Sequence, residues 1–205
     1  MEVRVLSPAP NKMDTLHFFK ESIIDFKNTG SFLPSSNRLA KRLSRPIIGK
    51  PKLIIVELGA GTGSVTKYLL KILPKDSMLI SLEINESLIN KLTKNIHDPR
   101  LMLIKGDASK LGTYLQELNI GKVDYIVSGL PLGNFSRKSR YAIYSEICTN
   151  LKDNGIYTQF QYLLASFVEI RRIFSITDLA FEWRNMPPAF VYTCKLRQLN
   201  NFVRG

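Results

Sequence analysis

Four short stretches hold the residue types from which a reaction could be built. The first is Glu57-Leu58-Gly59-Ala60-Gly61-Thr62-Gly63, which follows an apolar run and precedes a helical pattern. Its glycines allow a tight turn and let backbone N–H groups approach a ligand at a helix N-terminus. The second is Glu83, followed by Ile84, at the end of the next apolar run and 20 residues after Gly63. A carboxylate there can accept both hydroxyls of a ribose. The third is Lys105-Gly106-Asp107-Ala108, where Asp107 is placed to meet an adenine amino group. A dinucleotide is the competing ligand, but Glu57 directly before the glycines would repel a pyrophosphate and suits a cationic cofactor with an amino group. The fourth stretch, Ser128-Gly129-Leu130-Pro131-Leu132-Gly133-Asn134-Phe135, contains no carboxylate, histidine or cysteine. It predicts a reaction centre that works without a titrating group.

These positions need a scaffold of alternating strands and helices. Strands are predicted over 53–58, 78–83, 101–105, 123–128 and 156–162, with helices over 64–73, 86–95, 113–118, 138–150 and 166–174. Strands separated by helices form right-handed crossovers and a parallel sheet covered on both faces. The runs 179–184 and 190–196 are joined by only five residues, too few for a parallel crossover, so they predict a terminal antiparallel hairpin. The fold class is therefore α/β, with a Rossmann-like sheet of seven mostly parallel strands. A seam near Gly49-Lys50-Pro51 divides residues 1–49, an amphipathic and basic helical lid, from residues 50–205, the cofactor-binding domain. Within the lid, Leu16, Phe19, Ile23 and Phe26 fall at helical spacing between a cap at Asp14 and a stop at Gly30. A second short helix spans 37–44.

The 205 residues carry 29 Lys and Arg against 17 Asp and Glu, a formal net charge of +12. Residues 1–52 hold ten of the cations and four of the acids, and 37–52 hold six cations and no acid. Such a balance implies an anionic partner, either nucleic acid or an acidic membrane surface. Cys148 and Cys194 follow no metal or redox spacing and read as thiols in a reducing compartment, and two histidines argue against a histidine metal site. No metal is expected. Neither a membrane span nor a signal peptide is legible in the sequence.

The ordered acids and glycines resemble those of the class I S-adenosylmethionine-dependent methyltransferases, whose first motif is matched by 57–63. The resemblance covers about residues 50 to 196. It implies S-adenosylmethionine as cofactor, held by Glu57, Gly59, Gly61, Gly63, Glu83, Ile84, Gly106, Asp107, Ala108 and Ser128. A sulfonium methyl is already an activated electrophile, so in-line transfer needs a neutral nucleophile held at near-attack distance. An amine acceptor must be deprotonated, which desolvation and nearby positive charge favour. Ser128, Gly129, Leu130 and Pro131 are then the catalytic stretch: the first two carbonyls orient the amine N–H groups, and Pro131 stiffens the turn.

Two families similar in this respect differ in the amine. Ribosomal RNA adenine dimethylases carry an Asn-Leu-Pro-Tyr type motif that grips a flipped base. Here the amide and the ring are missing from 128–132, with Phe135 as the substitute ring. Bacterial phospholipid N-methyltransferases, which convert phosphatidylethanolamine to phosphatidylcholine, are more similar, in 32–36, 128–135 and 184–192. Ornithine-lipid methyltransferases resemble them equally. The resemblance implies an anionic membrane surface and a lipid substrate as partners, a cytoplasmic protein peripheral on the inner face of the membrane, and an N-terminal membrane-binding helix. RNA adenine N6-methylation is the alternative, with nucleic acid as partner. Phe19, Phe32, Ser35, Arg137, Lys138 and Tyr144 are the candidate membrane and substrate contacts. Arg140 could join Arg137 and Lys138 on a lipid phosphate, and Tyr141, Tyr157 and Tyr162 could face the methylated ammonium.

Overall fold

The computed structural model describes residues 4–6, 37–162, 167–185 and 188–197. The helix expected between Asp14 and Gly30, with Phe19, and the positions Phe32 and Ser35 lie outside these residues.

The apolar runs become strands because residues buried on both faces leave no room for alternation. Five of them are β2 (Ile54–Leu58), β3 (Met78–Glu83), β4 (Leu101–Lys105), β5 (Val123–Ser128) and β6 (Leu151–Gln161). All five run parallel. β7 (Phe174–Glu182) and β8 (Ala189–Leu196) form the antiparallel hairpin, with β8 inserted between β6 and β7. The seven expected strands are joined by an eighth, β1 (Arg4–Leu6), which pairs parallel to β4. Three residues are too few to show a period in sequence. The order is β1-β4-β3-β2-β5-β6-β8-β7. From β2 the chain first winds outward through β3 and β4, then returns to β5 on the other side of β2. The carboxyl ends of β2 and β5 therefore flank the crevice where open α/β sheets bind ligands.

Helices cover both faces. α1 (Asn37–Ser44), α2 (Ser64–Ile72) and α3 (Glu86–Asn95) pack on one through Leu39, Leu43, Leu69, Ile89 and Leu92. α4 (Leu111–Glu117), α5 (Arg137–Asn150) and α6 (Phe167–Ile173) cover the other through Leu111, Leu115, Ile143, Ile147 and Ile170. Among the described residues no helix is long and apolar enough to cross a membrane.

α1 is built into this core. Leu39, Ala40 and Leu43 are fully buried, while Arg38, Lys41 and Arg45 are exposed. The Leu43 carbonyl, otherwise an orphan at a helix end, accepts from the hydroxyls of Tyr125 and Thr158 on the sheet. Arg42 Nε donates to Glu182 Oε2 at 3.3 Å, tying the helix to β7. The apolar face of α1 is thus turned to the protein and its cations outward. Leu43→Ala is expected to cost about 2–5 kcal/mol of stability in denaturant unfolding, and Lys41→Ala less than about 0.5 kcal/mol. Equal small losses would contradict this packing.

Candidate active site

The turn after β2 is shaped by backbone conformations that glycine adopts without strain. Gly59, Gly61 and Gly63 have φ of +80°, +56° and +82°. A Cβ on Gly63 would stand 2.5 Å from Leu92 Cδ2, whereas one on Gly61 would meet open space. Gly61 therefore borders the crevice and Gly63 the packing beneath it.

Three acids follow at the ends of β2, β3 and β4, and the structure gives each a different task. Glu83 Oε2 accepts from the Gly61 N–H at 2.8 Å, and Oε1 from the N–H groups of Ile84 and Asn85 at 2.9 Å each. Three of about four acceptor positions are filled. One acceptor position is left for a donor from a ligand. Burial pushes its pKa up, and the three backbone donors oppose that shift.

Glu57 lies one layer deeper. It is buried, and its Oε2 accepts from Ser81 Oγ at 2.6 Å and Thr66 Oγ1 at 2.7 Å. Desolvation raises its pKa to about 7 against those two hydroxyls, with a smaller push from Glu83. Its recorded bonds join β2, β3 and α2 beneath the glycine turn.

Asp107 has a buried carboxylate oxygen, Oδ2, that receives no donor from any described residue. Its Oδ1 accepts from Ser109 N at 2.9 Å, and its N–H donates to Tyr114 Oη at 3.1 Å. A buried acceptor without a donor is costly, which points to a ligand donor at Oδ2. Gly106 allows Tyr114 to come so near, since a Cβ would lie 2.6 Å from its ring. Ile84 is half-buried and Ala108 buried beside these acids.

The segment after β5 meets the glycine turn head-on. Gly129 N–H donates to the Leu58 carbonyl at 2.9 Å, and a Cβ on Gly129 would stand 3.1 Å from the Gly59 carbonyl. Ser128 is fully buried, with its Oγ accepting from the Leu130 N–H at 3.3 Å. Leu130 is buried against Gly59, and Pro131 is half-buried where the chain enters a short 3-10 turn, Leu132–Asn134. The structure thus brings Ser128–Pro131 together with Gly59, Gly61 and Glu83 around one crevice.

Other candidates move. Tyr144 is buried inside the core against Phe174 at 6.0 Å, so it is no substrate contact. It shares the inward face of α5 with Ile143 and Ile147, a placement that residue type alone does not disclose. Tyr157 is buried likewise. Arg140 is bound by two hydrogen bonds to Glu169, at 2.7 and 2.8 Å, which removes it from a phosphate site. Arg137 and Lys138 are exposed, the former over the Tyr141 ring at 5.3 Å. Phe135 is buried and does not offer its ring to a flipped base.

Sequence reasoning passed over Gln159 and Gln161. Both are buried on β6; Gln159 Nε2 donates to the Leu130 carbonyl at 3.1 Å, and Gln161 Oε1 lies near Gly133. Amides at alternate positions of the buried second half of a strand, 157–161, are a signal the sequence does carry. No group of three or more His, Cys, Asp or Glu that could hold a metal ion occurs among the described residues.

Comparison with known proteins identifies relatives in sequence and in fold. A family profile described as a methyltransferase domain matches residues 55–155. An ornithine lipid N-methyltransferase of Singulisphaera acidiphila is 30% identical over 167 residues, covering 80% of this chain and 87% of that protein. The ribosomal RNA small subunit methyltransferase A of Thermotoga neapolitana is 25% identical over 164 residues, 76% of this chain and 62% of that one. In fold, the chain matches the 1,6-didemethyltoxoflavin-N1-methyltransferase of Burkholderia thailandensis, solved with S-adenosylhomocysteine. That match has a TM-score of 0.67 at 13% identity over 93% of both chains.

Glu57 makes stability depend on pH. Its folded pKa, about 7, lies above its ordinary value of 4.5, so its contribution is full below about 4.5 and is lost as pH rises through 7. The loss amounts to about 3 kcal/mol. Glu57→Gln should remove much of the fall in unfolding free energy between pH 5 and about 8; an unchanged slope in the variant would contradict the assignment.

Proposed function

The chain belongs to the S-adenosylmethionine-dependent N-methyltransferases, and from that premise we propose that it methylates the amine of a membrane-lipid headgroup, of the phosphatidylethanolamine or ornithine-lipid kind. The observation that carries the lipid reading is the 30% identity with a lipid N-methyltransferase along 80% of the chain. The bound cofactor would supply an electrophilic methyl group. Glu83 would hold a ribose hydroxyl, Asp107 Oδ2 the adenine amino group, and Ile84 and Ala108 the base. Glu57 is a positioning residue, which sets the glycine turn through Ser81 and Thr66.

The acceptor amine would be met by backbone and apolar groups alone. Ser128 and Gly129 carbonyls would align its N–H groups, with Gln159 fixing the neighbouring Leu130 carbonyl. Exposed Arg137 and Lys138 begin the helix directly after this loop, and their charge favours a neutral, nucleophilic amine over an ammonium. On the opposite face of the sheet, α1 exposes a further basic group, Arg38, Lys41 and Arg45. Cations near an anionic bilayer contribute about 1 kcal/mol each. This supports a peripheral position on a membrane.

RNA adenine methylation is the second reading, favoured by the similarity to the ribosomal RNA enzyme. The buried Phe135 ring weakens it, since a flipped base needs a stacking partner. Incubation with methyl-labelled S-adenosylmethionine distinguishes them. Label is expected in phosphatidylethanolamine or ornithine-lipid vesicles, the two arms identifying the headgroup. Label in ribosomal RNA and in neither lipid would overturn the proposal.

A further inference from the structure

Among the described residues β7 is an outermost strand, and its edge carries exposed apolar side chains. Leu179, Phe181 and Trp183 are 43%, 49% and 64% exposed. Leu179 and Phe181 stand two apart on β7, so they project from the same face, and Trp183 continues the line into the turn.

The register connects this edge to the active site. Gln161 on β6 pairs with Phe190 on β8, which pairs with Phe181 on β7; Gln159, Tyr192 and Leu179 form the parallel row. Each row begins beside the 128–135 loop and ends at the exposed edge. Phe181 and Phe190 rings lie 4.8 Å apart, continuing the apolar surface inward. Along the same rows two polar groups, Gln161 Nε2 and Tyr192 Oη, are buried and have no partner among the described residues. Gln161 and Tyr192 are enclosed in the core, so the exposed part of these rows is the β7 edge.

β8 runs antiparallel to β6, and β7 antiparallel to β8, so Trp183 emerges at the same end of the sheet as the crevice. Arg184 stacks on the Trp183 ring at 4.7 Å and is itself exposed. An aromatic with an adjacent cation suits the headgroup layer of an anionic bilayer, where the ring is buried and the charge meets phosphate. We propose that Leu179, Phe181 and Trp183 form a membrane-docking strip that seats the sheet edge in an anionic bilayer, with the crevice at the same end of the sheet. This rests on the lipid reading above.

Trp183 is the single tryptophan of the chain, so its emission reports on the strip without labelling. The full-length protein is titrated with vesicles of equal phosphatidylglycerol and phosphatidylcholine, with and without brominated chains. A blue shift and bromine quenching are expected, weaker at high salt. Leu179→Glu and Phe181→Glu should each lower vesicle affinity and lipid methylation about tenfold or more, with S-adenosylhomocysteine affinity and melting temperature retained. The use of two sites guards against a single misfolded variant. Emission that stays constant while the protein sediments with vesicles would overturn the strip, as would emission already blue and unquenched without them. Lipid methylated normally by both variants would overturn the docking proposal and leave the lipid reading intact. A Trp183 response with no lipid ever methylated would overturn the lipid reading and support the docking strip.

Discussion

The site depends on the near-contact of two backbone turns at the point where the strand order reverses. Gly129 N–H reaches the Leu58 carbonyl at 2.9 Å, and a Cβ on Gly59 would stand 2.9 Å from Leu130 Cδ2. Gly59 adopts φ of +80°, which glycine takes without strain, and the two chains pass closely there. The consequence for chemistry is direct: the stretch 128–131 that meets the glycine turn brings peptide groups, a hydroxyl and apolar side chains, and no acid or base. A reaction run there depends on positioning and desolvation, and the segment 128–131 suits a nucleophile that arrives neutral.

Charge is arranged in layers around that contact. Glu57 and Glu83 sit inside, both held above the ordinary carboxylate range by desolvation, while Arg38, Lys41, Arg45, Arg137 and Lys138 face solvent. A cationic ligand in the crevice favours the ionised carboxylates, and by linkage their ionisation favours the ligand. The outer cations attract anionic surfaces without entering this balance, because exposed charges are screened over about 10 Å at 0.1 M salt. One chain can thereby hold a cation within and an anion outside.

The extent to which this was legible in sequence follows from the physics of each element. The strands 78–83, 101–105 and 123–128 and the helices 37–44 and 86–95 have the expected bounds, because their apolar periods and flanking residues agree. β7 starts at Phe174, five residues earlier than expected, since it follows α6 without a loop. β6 starts early at Leu151 through a register shift against β5 that no period announces. Tyr144 shows the limit at the site: an aromatic near a loop reads as a contact until the helix face is known. Glu57, Glu83 and Asp107 were visible as a set, but their division of labour depends on hydrogen bonds across strands distant in sequence.

The central claim is that the crevice between β2 and β5 holds the cofactor with its reactive end at the 128–131 loop. A crystal structure with S-adenosylhomocysteine tests it most directly. The account predicts the adenine amino group within about 3.2 Å of Asp107 Oδ2, a ribose hydroxyl on Glu83, and the thioether sulfur facing Gly129 and Leu130. A ligand bound elsewhere, or one in the crevice that leaves Asp107 Oδ2 without a donor, would contradict it.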